Sequence, residues 1–123
     1  MTILLDTSIL IDVLRETAHA REWMDQLESI PSISVVTLTE LTAGAKSQRE
    51  ELLIQELARR LKLLPVGHDV ATSAGGHMKH FGKSHSVELA DALIAATAEH
   101  HGLKLATLNV KHFPMFKKLR APY

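Results

Sequence analysis

The first eleven residues, Met1 to Ile11, read MTILLDTSILI and decide the fold of this chain. The apolar run at residues 3–5 has the length of a short buried strand and stops at Asp6. The apolar residues after Asp6 recur at helical spacing, which predicts a strand, an acidic turn and a helix. Ligands of open α/β sheets bind beyond the carboxyl ends of the strands, whereas Asp is also a favoured helix N-cap. Asp6 alone fits both roles.

The same alternation of apolar runs and helical patterns continues along the chain. Further strands are predicted at residues 33–36, 63–66 and 103–108. Helices are predicted at 18–28, 48–61 and 69–81. Another helix is predicted to begin at residue 37, and a last one to run from a cap at Ser86 to Gly102. Gly75 and Gly76 predict that the helix at 69–81 is loosened or kinked. Strands that alternate with helices predict one α/β domain over residues 1–123, with a short, mostly parallel sheet of four or five strands flanked by helices.

Composition limits the classes of function. The chain has 123 residues and no cysteine, which excludes disulfides and thiolate metal sites. Fourteen basic residues balance fourteen acidic ones, so any binding of nucleic acid has to come from local patches. Aromatic residues make up only 4%, which argues against a stacking platform for single strands. We expect a cytoplasmic protein, since neither a signal peptide nor a membrane span is recognisable.

Three further polar residues stand where a site in such a sheet would be built. Glu40 follows the second predicted strand, although Thr37 to Glu40 also matches a capping box. Asn109 follows the last strand and also fits an ordinary turn. Asp91 lies in an apolar helical stretch, where a buried carboxylate needs a partner. Parallel strands bring their carboxyl ends to one edge, so these three residues and Asp6 are predicted to converge.

Three carboxylates and an amide in one crevice point to metal chemistry. The acids repel one another unless a cation is present, and oxygen ligands suit Mg²⁺ or Mn²⁺. We predict that Asp6, Glu40 and Asp91 hold the ion and that Asn109 completes the catalytic set. Such an arrangement is typical of metal-assisted phosphodiester hydrolysis.

Four segments, in this order, resemble the PIN-domain ribonucleases, and more closely the toxins of bacterial VapBC-type toxin–antitoxin pairs. They are ILLDTSILIDVL (3–14), TLTEL (37–41), ELADALIAATAEHHG (88–102) and LATLNVKHF (105–113). The resemblance implies a compact α/β/α PIN fold and a divalent-metal endoribonuclease. It also implies a cognate antitoxin that inhibits the enzyme, and a homodimer.

The resemblance places the metal-binding acids of the family on Asp6, Glu40 and Asp91. Many relatives carry a fourth acid at, or a few residues after, the position of Asn109, whereas this chain has Asn109 and then His112. An amide adds no charge, so we expect one well-occupied Mg²⁺ or Mn²⁺ site.

Two other surfaces are predicted to bind RNA and to form the dimer contact. Lys79, Lys83 and Lys111 are candidates for contacts with the RNA phosphate backbone. The broad apolar face of the helix at 48–61 is the first candidate for the dimer contact.

Three alternatives stay open at this point. A phosphoaspartate phosphatase also begins with an Asp at a strand end, but it needs a second Asp two residues later, where Ser8 stands here. The spacing of His77, His80 and His85 is compatible with zinc. The fold could also serve as a binding module that sequesters RNA or a partner without catalysis.

Overall fold

A computed structural model describes residues 2–123, so Met1 of the opening stretch lies outside the described residues. Strands and helices alternate along the chain as predicted. The strands are β1 (Ile3–Leu5), β2 (Ser32–Ser34), β3 (Lys62–Leu64) and β4 (Lys104–Ala106). The helices are α1 (Thr7–Leu14), α2 (Ala18–Asp25), α3 (Val35–Gly44), α4 (Gln48–Arg59), α5 (His68–Phe81) and α6 (Leu89–His100), and a 3₁₀ turn covers Val110–His112.

The strands form one sheet in the order β3-β2-β1-β4, and each neighbouring pair is parallel. Leu4 is paired with Leu105 and Leu5 with Ala106, so β1 and β4 run in register. The predicted α/β architecture is confirmed. Because the strands are parallel, the residues that follow β1, β2 and β4 all lie at the same edge of the sheet.

Side chains of the neighbouring strands β1 and β4 alternate between two apolar layers. Leu4 and Leu105 pack on one face with residues of α6 and with Phe113. Leu5 and Ala106 pack on the other face with residues of α1, α3 and α4. The period-two alternation of a strand places successive residues on opposite faces, which explains why three-residue strands suffice to hold two layers together. Within residues 2–123, each helix is too short or too polar to cross a membrane.

Helix α3 begins three residues earlier than the capping box at Thr37 predicts. The hydroxyl of Ser34, the last residue of β2, accepts a hydrogen bond of 3.0 Å from the amide of Val36 and caps the helix. Val35 and Val36 are therefore helical, although their branched side chains favour a strand. Glu40 consequently lies in the second turn of α3, and the predicted capping box is wrong.

Two predictions about the last helices are also wrong. Helix α5 runs without interruption through Gly75 and Gly76, because the buried Val70 and Ala74 pack in the cluster that joins it to α6. Tertiary packing thus outweighs the helix propensity of glycine, which is about 1 kcal/mol less favourable than that of alanine. Helix α6 is capped at Glu88 and not at Ser86. Its predicted end is confirmed, since Gly102 follows with a φ of 63°, where glycine is favoured.

Candidate active site

The carboxylate of Asp6 is held by hydroxyl groups. Asp6 follows β1, is 4% exposed and occupies the N-cap position of α1. Its Oδ2 accepts hydrogen bonds from Ser8 Oγ at 2.8 Å and from Thr107 Oγ1 at 2.6 Å. These side chains fix the orientation of the carboxylate, whereas a cap would be fixed by the helix amides.

The two hydroxyls also connect the ends of β1 and β4. Ser8 Oγ accepts a bond of 3.1 Å from the amide of Leu108, and Thr107 Oγ1 accepts one of 2.9 Å from the amide of Asn109. Each hydroxyl therefore accepts from the backbone after β4 and donates to Asp6. The exposed Asn109 is brought to the same edge as Asp6 by this network.

Glu40 is joined to the site through Thr7, the residue after Asp6. Thr7 Oγ1 donates a hydrogen bond of 2.6 Å to Glu40 Oε1 and lies 3.0 Å from Oγ1 of the buried Thr37. The exposed carboxylate of Glu40 is thus tied to the start of α1. Its placement depends on a contact across 33 positions and not on capping of its own helix.

Asp91 lies in the first turn of α6 and completes a capping box with Glu88. Its Oδ2 accepts a bond of 3.3 Å from the Glu88 amide, and its side chain is 15% exposed. Burial raises the pKa of the Asp91 carboxyl, and the negative charges of Asp6 and Glu88 raise it further, against the opposing backbone bond and His112. The charge of Asp6 therefore acts on the Asp91 carboxyl and disfavours its ionised form.

His112 stands beside Asp91. The imidazole Nδ1 lies 3.5 Å from Asp91 Oδ2, and the side chain is 52% exposed. The resemblance would place an acid at or near this part of the chain. The structure gives Asp91 an imidazole neighbour there, whose positive charge, when protonated, favours the ionised carboxylate.

The donor set fits an oxygen-binding cation that takes few of its ligands from the protein. Within residues 2–123, no group of three or more His, Cys, Asp or Glu side chains is gathered closely enough to hold a metal ion by itself. Asp91 is partly desolvated and is exposed to the negative charge of Asp6, so a bound cation would favour its ionised form. Mg²⁺ is usually held by one or two carboxylates and keeps its other positions for water and phosphate oxygens.

A groove of about 510 Å³ adjoins this site between α1, α3 and α4. Its lining includes Thr7 and Glu40, so the groove reaches the acidic edge of the sheet. Its other walls are largely apolar and include Ile11, Leu14, Leu41, Leu53 and Ile54. The groove also contains the exposed cations Arg15 and Lys46.

The remaining candidates are three lysines and three histidines. Lys79 is in the last turn of α5, Lys83 follows that helix, and Lys111 precedes His112; all three side chains are exposed. Phe81 stands between the three histidines considered for zinc, with ring centroids 6.3, 4.5 and 5.4 Å away from those of His77, His80 and His85. His77 Nε2 is 2.5 Å from Glu99 Oε1, a contact that joins α5 to α6.

Sequence reasoning missed the residues that support the carboxylates. Thr107 fits the alternation of a strand, and its hydroxyl gives no sign in the sequence of a bond to a residue 101 positions away. The capping box of Glu88 and Asp91 was also missed, because its two acids do not match the usual pattern of a Ser or Thr followed three residues later by Glu or Gln.

Comparison with known proteins identifies the family. The PIN domain model matches residues 3–119. Ribonuclease VapC10 of Mycobacterium tuberculosis is 39% identical over 98% of this chain and 92% of its own length. A toxin-antitoxin complex from Klebsiella pneumoniae has a chain that superposes with a TM-score of 0.85 at 28% identity, covering 99% of this chain and 98% of that one. DNA-bound VapBC from Salmonella typhimurium gives 0.83 at 28% identity, covering 98% and 96%. The predicted resemblance is confirmed, and the chain belongs to the PIN-domain family.

Proposed function

We propose that this protein is an endoribonuclease that depends on Mg²⁺ or Mn²⁺ and acts as the toxin of a toxin–antitoxin pair. The observation that carries the proposal is the position of two acids at the edge of the sheet: Asp6 is buried, and burial together with the charge of Asp6 raises the pKa of Asp91. The similarity to a ribonuclease supports RNA, and not a small phosphate ester, as the substrate at this edge. The family match therefore favours the nuclease over a phosphoaspartate phosphatase.

Each residue of the site has a separate task in this proposal. Asp6 and Asp91 would hold the cation, and Glu40 would act on it through water, because within residues 2–123 no three acids are gathered closely enough to hold it directly. Asn109 would orient the nucleophilic water with its amide. Ser8 and Thr107 fix the Asp6 carboxylate by donating hydrogen bonds to Oδ2. Thr7 holds Glu40 in the same way. The cation, when bound, lowers the pKa of water and stabilises the leaving oxygen.

The test is cleavage of a fluorescent single-stranded RNA by the purified protein with Mg²⁺, with Mn²⁺ and with EDTA. We expect cleavage with either ion, and its loss in EDTA and in the Asp6→Asn and Asp91→Asn variants. Asp25→Asn is the matched control, because Asp25 is exposed at the end of α2. Full activity of both site variants, or undiminished activity in EDTA, would refute the proposal.

Binding without turnover is the second possible function, and the same experiment separates it from catalysis. A binding module would retain RNA on a gel without cutting it under every metal condition. Calorimetric titration of Mg²⁺ into the wild type and into Asp91→Asn reports metal binding without reference to activity. One well-occupied site is expected in the wild type, because Asn109 and His112 add no fourth carboxylate.

The partner in this proposal is a cognate antitoxin that occupies the groove of α1, α3 and α4. Two neighbours in structure are described as a toxin-antitoxin complex and as DNA-bound VapBC. An apolar segment of a partner would cover the exposed Leu53 in this groove and lie against Glu40. Binding there would block the site. Addition of the cognate antitoxin should therefore stop RNA cleavage.

A further inference from the structure

Positive charge is concentrated at one end of the chain. Residues 100–123 include five lysines and arginines and no aspartate or glutamate. Since the 14 basic and 14 acidic residues balance overall, residues 1–99 contain nine basic and 14 acidic residues. The overall neutrality of the protein therefore conceals a strongly basic segment on an acidic remainder.

The segment at residues 113–123, here called the tail, is attached to the fold at both ends. Phe113 is 1% exposed in the core, and Phe116 and Leu119 pack against the same cluster. At the other end the Tyr123 hydroxyl donates a hydrogen bond of 2.8 Å to Asp12 on α1, and its ring lies 6.1 Å from that of Trp23. The tail thus passes from the α6 layer to the α1 layer on a fixed path, which presents its charges in defined positions.

Three exposed cations of the tail share a surface. Lys117, Lys118 and Arg120, together with Leu119, line a cleft of about 530 Å³. Within residues 2–123 these cations have no carboxylate partner within 4.0 Å, whereas Arg59 and Arg60 on α4 both pair with Glu56. Their charges are therefore available to a ligand.

The tail begins at the active site. His112, beside Asp91, immediately precedes it. Five residues of extended chain span at most about 18 Å, which limits the distance between His112 and Lys117 along the backbone. A polyanion bound at Lys117 and Lys118 could therefore reach the carboxylates within a short length of its own chain.

We propose that Lys117, Lys118 and Arg120 form a phosphate-binding track that holds single-stranded RNA as it leads into the active site. This inference rests on the proposed function, because RNA is the substrate class assumed there. The acids of the site repel a polyanion, so a nearby set of cations is needed to keep the strand bound. Contacts to phosphates position a strand without reading its bases, in agreement with the few aromatic residues of the chain.

The experiment measures binding of fluorescent single-stranded RNA to Asp91→Asn protein across a salt series, so that cleavage does not interfere. Replacing all three cations, Lys117→Ala, Lys118→Ala and Arg120→Ala, should weaken binding roughly tenfold at about 0.1 M salt. It should also reduce the slope of log K against log salt by about 2, since each phosphate contact on a single strand contributes ~0.7.

The matched control removes the same number of charges elsewhere. Arg59→Ala, Arg60→Ala and Lys62→Ala alter the end of α4 and the start of β3, the strand at the opposite edge of the sheet from β4. This variant should keep the affinity and the salt slope of the parent protein. The variant Lys117→Arg, Lys118→Arg and Arg120→Lys keeps the charges and should bind as the parent does.

Three results of binding measurements would overturn the track. They are an unchanged salt slope in the tail variant, equal weakening in the control variant, and weakened binding of the cognate antitoxin with RNA binding intact. The last result would assign the tail to a protein interface. If wild-type protein never cleaves RNA but the tail variant loses RNA binding, the proposed function fails and the track stands. If the wild type cleaves RNA and the same three substitutions, made in the wild-type protein, leave KM unchanged, the track fails and the proposed function stands.

Discussion

Thr107 Oγ1 donates a hydrogen bond of 2.6 Å to Asp6 Oδ2, linking the residue after β4 to the residue after β1. Both side chains are buried, so the bond is shielded from water. A bond to an ionised partner is shorter and stronger than a neutral one. The orientation of the Asp6 carboxylate therefore depends on a residue that takes no part in the chemistry itself.

Thr107→Val should reduce RNA cleavage by roughly 10- to 100-fold, the usual effect of removing a group that orients a metal ligand. It should lower the free energy of unfolding by about 2 kcal/mol, since a bond to a charged group is lost. Thr97→Val is the control, because Thr97 is equally buried but donates to the Leu93 carbonyl within α6. Chemical denaturation and a cleavage assay separate the two effects. Equal loss of activity in both variants would contradict a positioning role for Thr107.

The raised pKa of Asp91 predicts a stability that falls with pH in the absence of metal. The folded state binds the proton more tightly than the unfolded state, whose pKa is near 3.8. The contribution is therefore complete below 3.8 and is lost as the pH rises through the folded pKa. Urea unfolding in EDTA should show Asp91→Asn gaining stability relative to the wild type from that pH towards neutrality. A difference between the two proteins that does not vary with pH would contradict this.

Tyr123→Phe should lower the free energy of unfolding by about 1 kcal/mol at neutral pH, because the bond to Asp12 is lost. Burial raises the pKa of the Tyr123 phenol, and the hydrogen bond to Asp12 and the charge of Asp12 raise it further. The wild type should therefore lose stability as the pH rises above 10.0, the ordinary value, and the Phe variant should not share this loss. Tyr123 is the only tyrosine of the chain, so ultraviolet absorbance follows its titration directly. A titration midpoint near 10.0 would reject the Asp12 contact.

Leu53→Glu should weaken binding of the cognate antitoxin at least tenfold, about 1.4 kcal/mol, by placing a charge in the apolar groove. Leu53 is 47% exposed, so the folded protein should tolerate the change. Leu63→Glu is the control, since Leu63 is 42% exposed on β3 and lies outside the groove. Calorimetry with purified antitoxin measures both affinities. An unaltered affinity for Leu53→Glu would place the partner elsewhere.

Self-association is expected at the exposed face of α4. Leu52 on this helix is 66% exposed, which is high for a large apolar side chain. Leu52→Glu should convert the expected homodimer into a monomer in light scattering after gel filtration. A wild type that is already monomeric at high concentration would exclude the dimer, and a dimeric variant would exclude this face.

The parallel sheet and the position of Asp6 were predictable because they depend on local pattern. Three apolar residues followed by an acid and a helical repeat define a strand, its end and the next helix without any distant contact. The start of α3 was not predictable in this way, because Ser34 and Thr37 are both acceptable caps. The packing of β2 between β1 and β3 selects Ser34 by requiring the strand to end there.

The acids of the candidate site could be predicted from the sequence, but the hydroxyl residues that hydrogen-bond to them could not. Asp91 stood out because an acid in an apolar helix needs a reason. The bonds from Thr7 to Glu40 and from Thr107 to Asp6 span 33 and 101 positions, and hydroxyl residues are too common in sequences to indicate such partners. Local energetics also misled the prediction at Gly75 and Gly76, where packing against α6 holds a helix that propensity alone would weaken.

One oxygen atom of the capping box at the start of α6 takes part both in the helix cap and in the candidate site. Asp91 Oδ2 accepts a hydrogen bond from the amide of Glu88 and also belongs to a carboxylate whose pKa is raised by the charge of Asp6. A cation bound to that oxygen would draw electron density from it. The hydrogen bond from the Glu88 amide, which closes the first turn of the helix, would then weaken. The chemical shift and the hydrogen-exchange rate of the Glu88 amide would therefore report whether a cation occupies the site.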